Sequence, residues 1–281
     1  MNQTSSTAEE ILRLDSISVT YPNGTVALQK TSLSLKQSEF TVLLGLSGAG
    51  KSSLLRTMNL LVVPSTGKVH SAGIGAITGK RLMRAHRRHT AMIFQQHQLL
   101  SRKSALINVL TGRLSEYPAW RTVMPLPHAD VQIAYECLQR VGLGEKAFTR
   151  VDNLSGGQMQ RVGIARALAQ QPRLILADEP VASLDPTTSV QVLAQLDRIS
   201  REDGIATIVS LHQLELARRF AQRIIGLADG RVVFDGPPAD LDQSTLDQIY
   251  GNTNVQSHTT AGAQVDTSDL DSAEVPIQAA I

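Results

Sequence analysis

The largely apolar run Phe40-Thr41-Val42-Leu43-Leu44 stops abruptly at the loop Gly45-Leu46-Ser47-Gly48-Ala49-Gly50-Lys51-Ser52, and no other feature constrains the fold as strongly. A run with no wet face is the mark of a strand covered on both sides, which is how parallel sheets are built. The loop's glycines permit a tight turn, and Lys51 to Asn59 suits a helix, so the segment reads as strand, turn and helix. In that context the loop reads as a phosphate cradle. Gly48 and Gly50 let backbone N–H groups close on phosphate oxygens, and the helix start adds about half a positive charge. Lys51 reaches the terminal phosphates and the Ser52 hydroxyl is suited to a magnesium ion.

Further runs repeat the pattern. Met92-Ile93-Phe94, Leu174-Ile175-Leu176-Ala177 and Thr207-Ile208-Val209 are short and apolar, separated by helical stretches, and predict an α/β core. Before them, Ile11 to Tyr21 and Val26 to Leu35 alternate apolar and polar residues, as antiparallel strands with one wet face do. Between Gln95 and Leu154 the period becomes helical, with Leu106, Val109 and Leu110 on one face and Val131, Ala134, Leu138 and Val141 on another. A helical lobe, about residues 96–165, therefore interrupts the core. Tyr117 to His128 contains three prolines and Trp120 and reads as a structured loop. Residues 1–10 form a polar extension, and residues 251–281, with little periodicity, read as a disordered tail. No internal repeat is evident.

Composition removes several function classes. The single cysteine, Cys137, allows neither an intrachain disulfide nor a cysteine-based zinc site, and fits a reducing compartment. No secretory start and no run of about 18 apolar residues is present, so the chain is expected to reach a membrane only by docking on another protein. The net charge of +2 is too small to argue for nucleic acid.

Asp178 and Glu179 end an apolar run, which places them at the carboxyl edge of the sheet beside the glycine loop. Asp178 suits an indirect hold on Mg²⁺, and Glu179 is placed to polarise a water for in-line attack on a phosphorus. His212 follows the run Ala206 to Leu211 and reaches the same edge. Gln95, after Met92 to Phe94, could offer its amide oxygen to the metal or the water. Leu154-Ser155-Gly156-Gly157-Gln158 opens another apolar-periodic segment and is a second anion-binding sequence with no lysine of its own, so it reads as half of a site completed by another copy.

This order of motifs, with Ser183-Leu184-Asp185 before His212, resembles the nucleotide-binding subunits of ABC transporters from about Ile11 to Tyr250. The resemblance implies a P-loop NTPase, RecA-like core carrying an antiparallel β subdomain and an inserted helical subdomain, with ATP and Mg²⁺ bound. It implies that Gly45, Leu46, Ser47, Gly48, Ala49, Gly50, Lys51, Ser52 and Ser53 hold the phosphates, that Tyr21 stacks on adenine, and that Ser52, Gln95 and Asp178 serve the metal. Glu179 would be the catalytic base, His212 the switch histidine, and Gln95 the link to the permease. Ser155, Gly156, Gly157 and Gln158 would meet the nucleotide of a second copy, with Asp185 at the dimer seam. Partners would be that copy, permease subunits and, through them, an external substrate-binding protein, at the cytoplasmic face of the inner membrane and without nucleic acid.

A closer resemblance is to the ATP-binding subunits of phosphonate importers. It rests on Gly112-Arg113-Leu114 with Trp120-Arg121, Arg140-Val141-Gly142-Leu143, Asp178 to Pro186, Ser210-Leu211-His212-Gln213 and Phe234-Asp235-Gly236-Pro237-Pro238. His97 stands where that family more often has an aromatic, and Met159 where it usually has glutamine. Three alternatives stay open: an importer of another solute such as phosphate or an amino acid, a soluble ATPase of the same type acting on DNA or ribosomes, and a nucleotide-regulated module without turnover. The compact stretch 96–153 and the single glycine loop argue against the second, and Glu179 against the third.

Overall fold

The computed structural model describes residues 9–96, 98–118 and 124–251. Strands β1 (Glu10–Thr20) and β2 (Val26–Lys36) pair antiparallel, and their burial alternates as the sequence does. β3 (Phe40–Leu44) is buried at every position and leads through the glycine loop into α1 (Lys51–Met58). β4 (Thr66–Ser71) and β5 (Gly75–Ala76) then extend the first sheet, whose order is β2-β1-β4-β5. After α2 (Gly79–Arg88) and β6 (Thr90–Ile93) comes the helical lobe. It comprises α3 (Ala105–Leu110) with a 3₁₀ extension to Glu116, α4 (His128–Arg140) and α5 (Gly156–Ala169).

The chain returns to the core as β7 (Leu174–Ala177), α6 (Pro186–Glu202), β8 (Ala206–Leu211), α7 (Leu214–Phe220), the hairpin β9 (Arg223–Ala228) and β10 (Arg231–Gly236), and α8 (Gln243–Tyr250). The second sheet runs β10-β9-β3-β8-β7-β6, parallel except for β10. Alternation along its strands divides the core into two clusters. Leu43, Leu176, Ile208 and Leu227 face α1 and the antiparallel sheet, whereas Val42, Leu44, Ile175 and Val209 face the helices of the lobe, α6 and α7.

Two hairpins go beyond the sequence expectation. β4 is mostly polar, Thr66-Gly67-Lys68-Val69-His70-Ser71, and only Val69 is buried, so this strand between β1 and β5 lacks an apolar pattern to read. The β9–β10 hairpin is different. Its turn, Asp229-Gly230, has both residues at positive φ, 47° and 73°, the twist that suits a tight hairpin, and Ile224 to Leu227 is an apolar run. Gly112, within the Gly112-Arg113-Leu114 string, lies where an added Cβ would meet the Arg166 carbonyl oxygen at 2.3 Å, so α5 closes directly on the lobe's 3₁₀ turn. Arg113 is 9% exposed there and bonds Asp130 at 2.8 Å and the Ala169 carbonyl at 2.9 Å, a structural pin for α4 and α5. Trp120, Arg121, His97 and the expected N-terminal extension and tail lie outside the described residues, apart from residues 9, 10 and 251.

Candidate functional site

Parallel pairing brings the expected residues to one edge of the sheet. Leu44 lies opposite Leu211, and Ala177 opposite Val209 and Ile93, so the glycine loop, Asp178-Glu179, His212 and the segment leading to Gln95 all leave the carboxyl ends of neighbouring strands. The Ser52 hydroxyl donates to Asp178 Oδ1 at 2.8 Å. Lys51 Nζ lies 4.0 Å from Glu179 Oε1 and 3.5 Å from His212 Nδ1, and His212 Nε2 is in close contact with the same Glu179 oxygen. Asp178 is buried, with Arg56 on its outer oxygen at 3.9 Å, and the Asp178 N–H donates to Ile93 at 2.8 Å.

The loop is rich in free donors. Its N-cap, Gly50, sits at φ 102°, and a Cβ there would meet the Ala27 carbonyl oxygen at 2.5 Å, so glycine is required on both counts. Among the described residues, the N–H groups of Gly48, Gly50, Lys51, Ser52 and Ser53 take no intramolecular acceptor; within the loop only Ala49 does, donating to Leu46 at 3.2 Å. Lys51 is 4% exposed and donates to the carbonyls of Gly45 (2.7 Å) and Leu46 (2.9 Å). Burial pushes its ammonium below the ordinary lysine value, and Glu179 and Asp178 oppose that shift. Converging N–H groups around one confined cation are the donor set a polyphosphate needs.

No group of three or more His, Cys, Asp or Glu side chains able to cage a metal exists among the described residues. The Ser52 hydroxyl and the Asp178 carboxylate are oxygen donors of the kind a magnesium ion takes. Gln95 lies two residues beyond β6 and is exposed. Tyr21 is half-buried, and its hydroxyl pairs with Ser53 at 3.0 Å, which fixes the ring beside the start of α1.

Ser155 to Gln158 stands apart. Among the described residues it shares no hydrogen bond with the glycine loop; its neighbours are Leu184 and Thr188, and a Cβ on Gly157 would meet Thr188 Cγ2 at 2.6 Å. Ser155 caps α5, accepting from the Gln158 N–H at 3.3 Å, while the Gln158 side chain accepts from the Ser155 N–H at 3.1 Å. This reciprocal box gives Gln158 a structural reason to be where it is, beyond the anion-binding one, and Ser-x-x-Gln is its sequence signature. The N–H groups of Gly156 and Gly157 remain free at the helix start. Asp185 likewise caps α6, accepting from Thr188 N–H at 2.9 Å, and is exposed.

Comparison with known proteins bears directly on this arrangement. A family model described as ABC transporter matches residues 28–182, more than half of the chain. The phosphite import ATP-binding protein PxtA of Stutzerimonas stutzeri is 58% identical over 91% of this chain and 93% of its own length. The chain belongs to the ABC transporter family. The phosphonates import ATP-binding protein PhnC 3 of a Nostoc strain is 57% identical over 86% of the chain and 92% of its own. Among solved structures, the dimeric MJ0796, a bacterial ABC transporter cassette, is 33% identical with a TM-score of 0.71, covering 81% of this chain and 99% of that one. The ABC fold is therefore shared along nearly the whole described chain. The family match spans the glycine loop, Gln95, Ser155 to Gln158 and Asp178-Glu179, and as an ABC cassette the chain binds nucleotide.

Proposed function

We propose that this chain is the ATP-hydrolysing subunit of an importer, working as a homodimer beneath a separate permease, with phosphonate as its cargo. The observation that carries the reading is the meeting of Lys51, Ser52, Asp178, Glu179 and His212 at one sheet edge within 4.0 Å of one another in successive pairs. Lys51 and the free N–H groups of the loop hold the phosphate charge, and Tyr21 stacks on adenine. Ser52, Asp178 and Gln95 would hold a Mg²⁺ ion, which would supply positive charge against the phosphate oxygens. Glu179 takes a proton from the attacking water, and His212 orients the Glu179 carboxylate and contacts the γ-phosphate.

Ser155, Gly156, Gly157 and Gln158, with Asp185 beside them, complete the site of the second copy. The dimeric relatives support this assembly, as do the two free N–H groups at the start of α5. No described helix is long and apolar enough to cross a membrane. In this reading the chain attaches peripherally, through the permease at the cytoplasmic face of the inner membrane. Leu100, Ile107 and Phe148 are exposed on segments tied by the Ala105 N–H to Thr149 and Leu106 N–H to Ala147 hydrogen bonds, which supports docking through the lobe. The substrate-binding protein acts through the permease.

Phosphite is a second cargo reading, favoured by the 58% identical phosphite import relative. The test is uptake of radiolabelled methylphosphonate and of phosphite in cells depending on this chain, with membrane copurification identifying the partners. Lys51→Ala is expected to abolish nucleotide binding and uptake together. Uptake that never involves a phosphonate would remove that cargo, and ATP affinity unchanged by Lys51→Ala would remove the site assignment.

A further inference from the structure

β8 lies between β3 and β7, and all six of its residues are buried. A strand in this position is ordinarily apolar throughout, because an unpartnered hydroxyl there loses its water bonds and gains nothing. β8 carries two hydroxyls. Thr207 pairs with Ser200 at 2.7 Å, away from the site. Ser210, fully buried, points instead at the two acids that end β7: its Oγ lies 2.8 Å from the Glu179 backbone nitrogen and 3.2 Å from Asp178 Oδ1. An N–H only donates and a carboxylate only accepts, so the hydroxyl accepts from Glu179 and gives its own proton to Asp178, the nearer of its two acceptors, the Ala177 carbonyl oxygen lying at 3.5 Å.

We propose that Ser210 is a positioning residue for ATP hydrolysis, its hydroxyl locking the Asp178 carboxylate to the backbone of Glu179 so that both acids keep one arrangement through the cycle. The inference rests on the function proposed above. Two features make the lock matter. Glu179 has φ of 48°, in the left-handed region that non-glycine residues seldom adopt, and the bond from its N–H to Ser210 is one of the contacts that hold it there. Its carboxylate position follows from that backbone setting. Asp178 Oδ1, for its part, receives two hydroxyls, one from Ser52 on α1 and one from Ser210 on the central strand. The Ser52 bond belongs to the element that meets the phosphates. The Ser210 bond comes from the sheet, so it keeps the Asp178 carboxylate oriented when the Ser52 oxygen turns to another partner.

The experiment compares Ser210→Ala and Ser210→Thr with wild type in the full chain, alone and reconstituted with its permease. Removing the hydroxyl is expected to lower kcat for ATP at least about tenfold and raise the Mg²⁺ concentration for half-maximal rate about threefold, with KM for ATP within about twofold; a tenfold change corresponds to about 1.4 kcal/mol. Ser210→Thr keeps a hydroxyl on a residue that suits a strand and is expected to recover most of the rate. Should the alanine variant be too unstable to purify, Ser210→Cys fills the site with a slightly larger, weakly hydrogen-bonding group and carries the same expectation. Equal kcat and Mg²⁺ dependence in the alanine or cysteine variant and the wild type would overturn the role of Ser210 while leaving the ATPase assignment intact. A wild-type chain that hydrolysed no ATP with its permease would overturn both.

Discussion

His86 shows how one buried side chain ties stability to pH. It is 1% exposed, and its Nε2 lies 2.8 Å from the Met58 carbonyl oxygen, which can only accept, so the neutral ring carries its proton on Nε2 and pins α2 to the end of α1. Burial pushes its pKa below the ordinary 6.5, the Met58 bond opposes that shift, and Arg87 and His89 reinforce it. Between the depressed folded value and 6.5 the unfolded chain therefore binds more protons than the folded one, and stability is lost as pH falls through that interval. Above it this group contributes no slope. The melting temperature of His86→Gln, which keeps an N–H for Met58, should consequently fall less than that of wild type between about pH 7.5 and about pH 5. Identical slopes for the two proteins would show that His86 is not the titrating group. At this scale Asp178 and Glu179 are legible from the strand end they follow and Lys51 from the glycine loop before it, whereas the partners of Ser210 depend on the β7–β8 register, which no single run of residues specifies.

At the scale of elements, the start of α5 does two jobs that a variant can separate. The Ser155–Gln158 box satisfies two N–H groups of its own chain, and Gly156 and Gly157 leave two more without an acceptor among the described residues. Ser155→Ala removes the cap and should cost about 1 kcal/mol, lowering the melting temperature by about 2–4 °C. Ser155→Asp restores the cap, and its charge suits a helix N-terminus, so its melting temperature should match wild type within about a degree. The same charge would repel a γ-phosphate presented by a second copy, so ATP-driven dimerisation, followed by light scattering, should fail in the aspartate variant. A Ser155→Asp protein that dimerised as wild type does would leave the cap as the only role of Ser155. The fully buried strands and the helical lobe could be read from their periods. Strand β4 could not, because one buried valine among polar residues carries no pattern, while the β9–β10 hairpin had a readable signal in Asp229-Gly230 that competes with a generic loop reading.

On the scale of the whole molecule, one chain holds two incomplete halves. The glycine loop has a cation, a hydroxyl and five free N–H groups, while Ser155 to Gln158 packs against Leu184 and Thr188 and makes no hydrogen bond to that loop among the described residues. In the proposed pair, a two-fold axis sets the glycine loop of each copy against Ser155 to Gln158 of the other and makes the two nucleotides equivalent. For ATP to swing such a pair from 1:99 open to 99:1 closed it must favour the closed state by about 5.5 kcal/mol, which is within reach of two nucleotides each contacted by both copies. Hydrolysis removes that preference, so a variant that binds ATP without cleaving it should stay closed. Glu179→Gln keeps the size of the side chain and loses the base. With Mg²⁺-ATP its melting temperature should rise with protein concentration, since a ligand held only by the dimer makes apparent stability depend on the monomer supply. With ADP, or with no nucleotide, the same protein should melt at one temperature whatever its concentration. A concentration-independent melt in Mg²⁺-ATP, with ATP shown to be bound, would mean that a single chain holds its nucleotide unaided and that Ser155 to Gln158 has no part in the site.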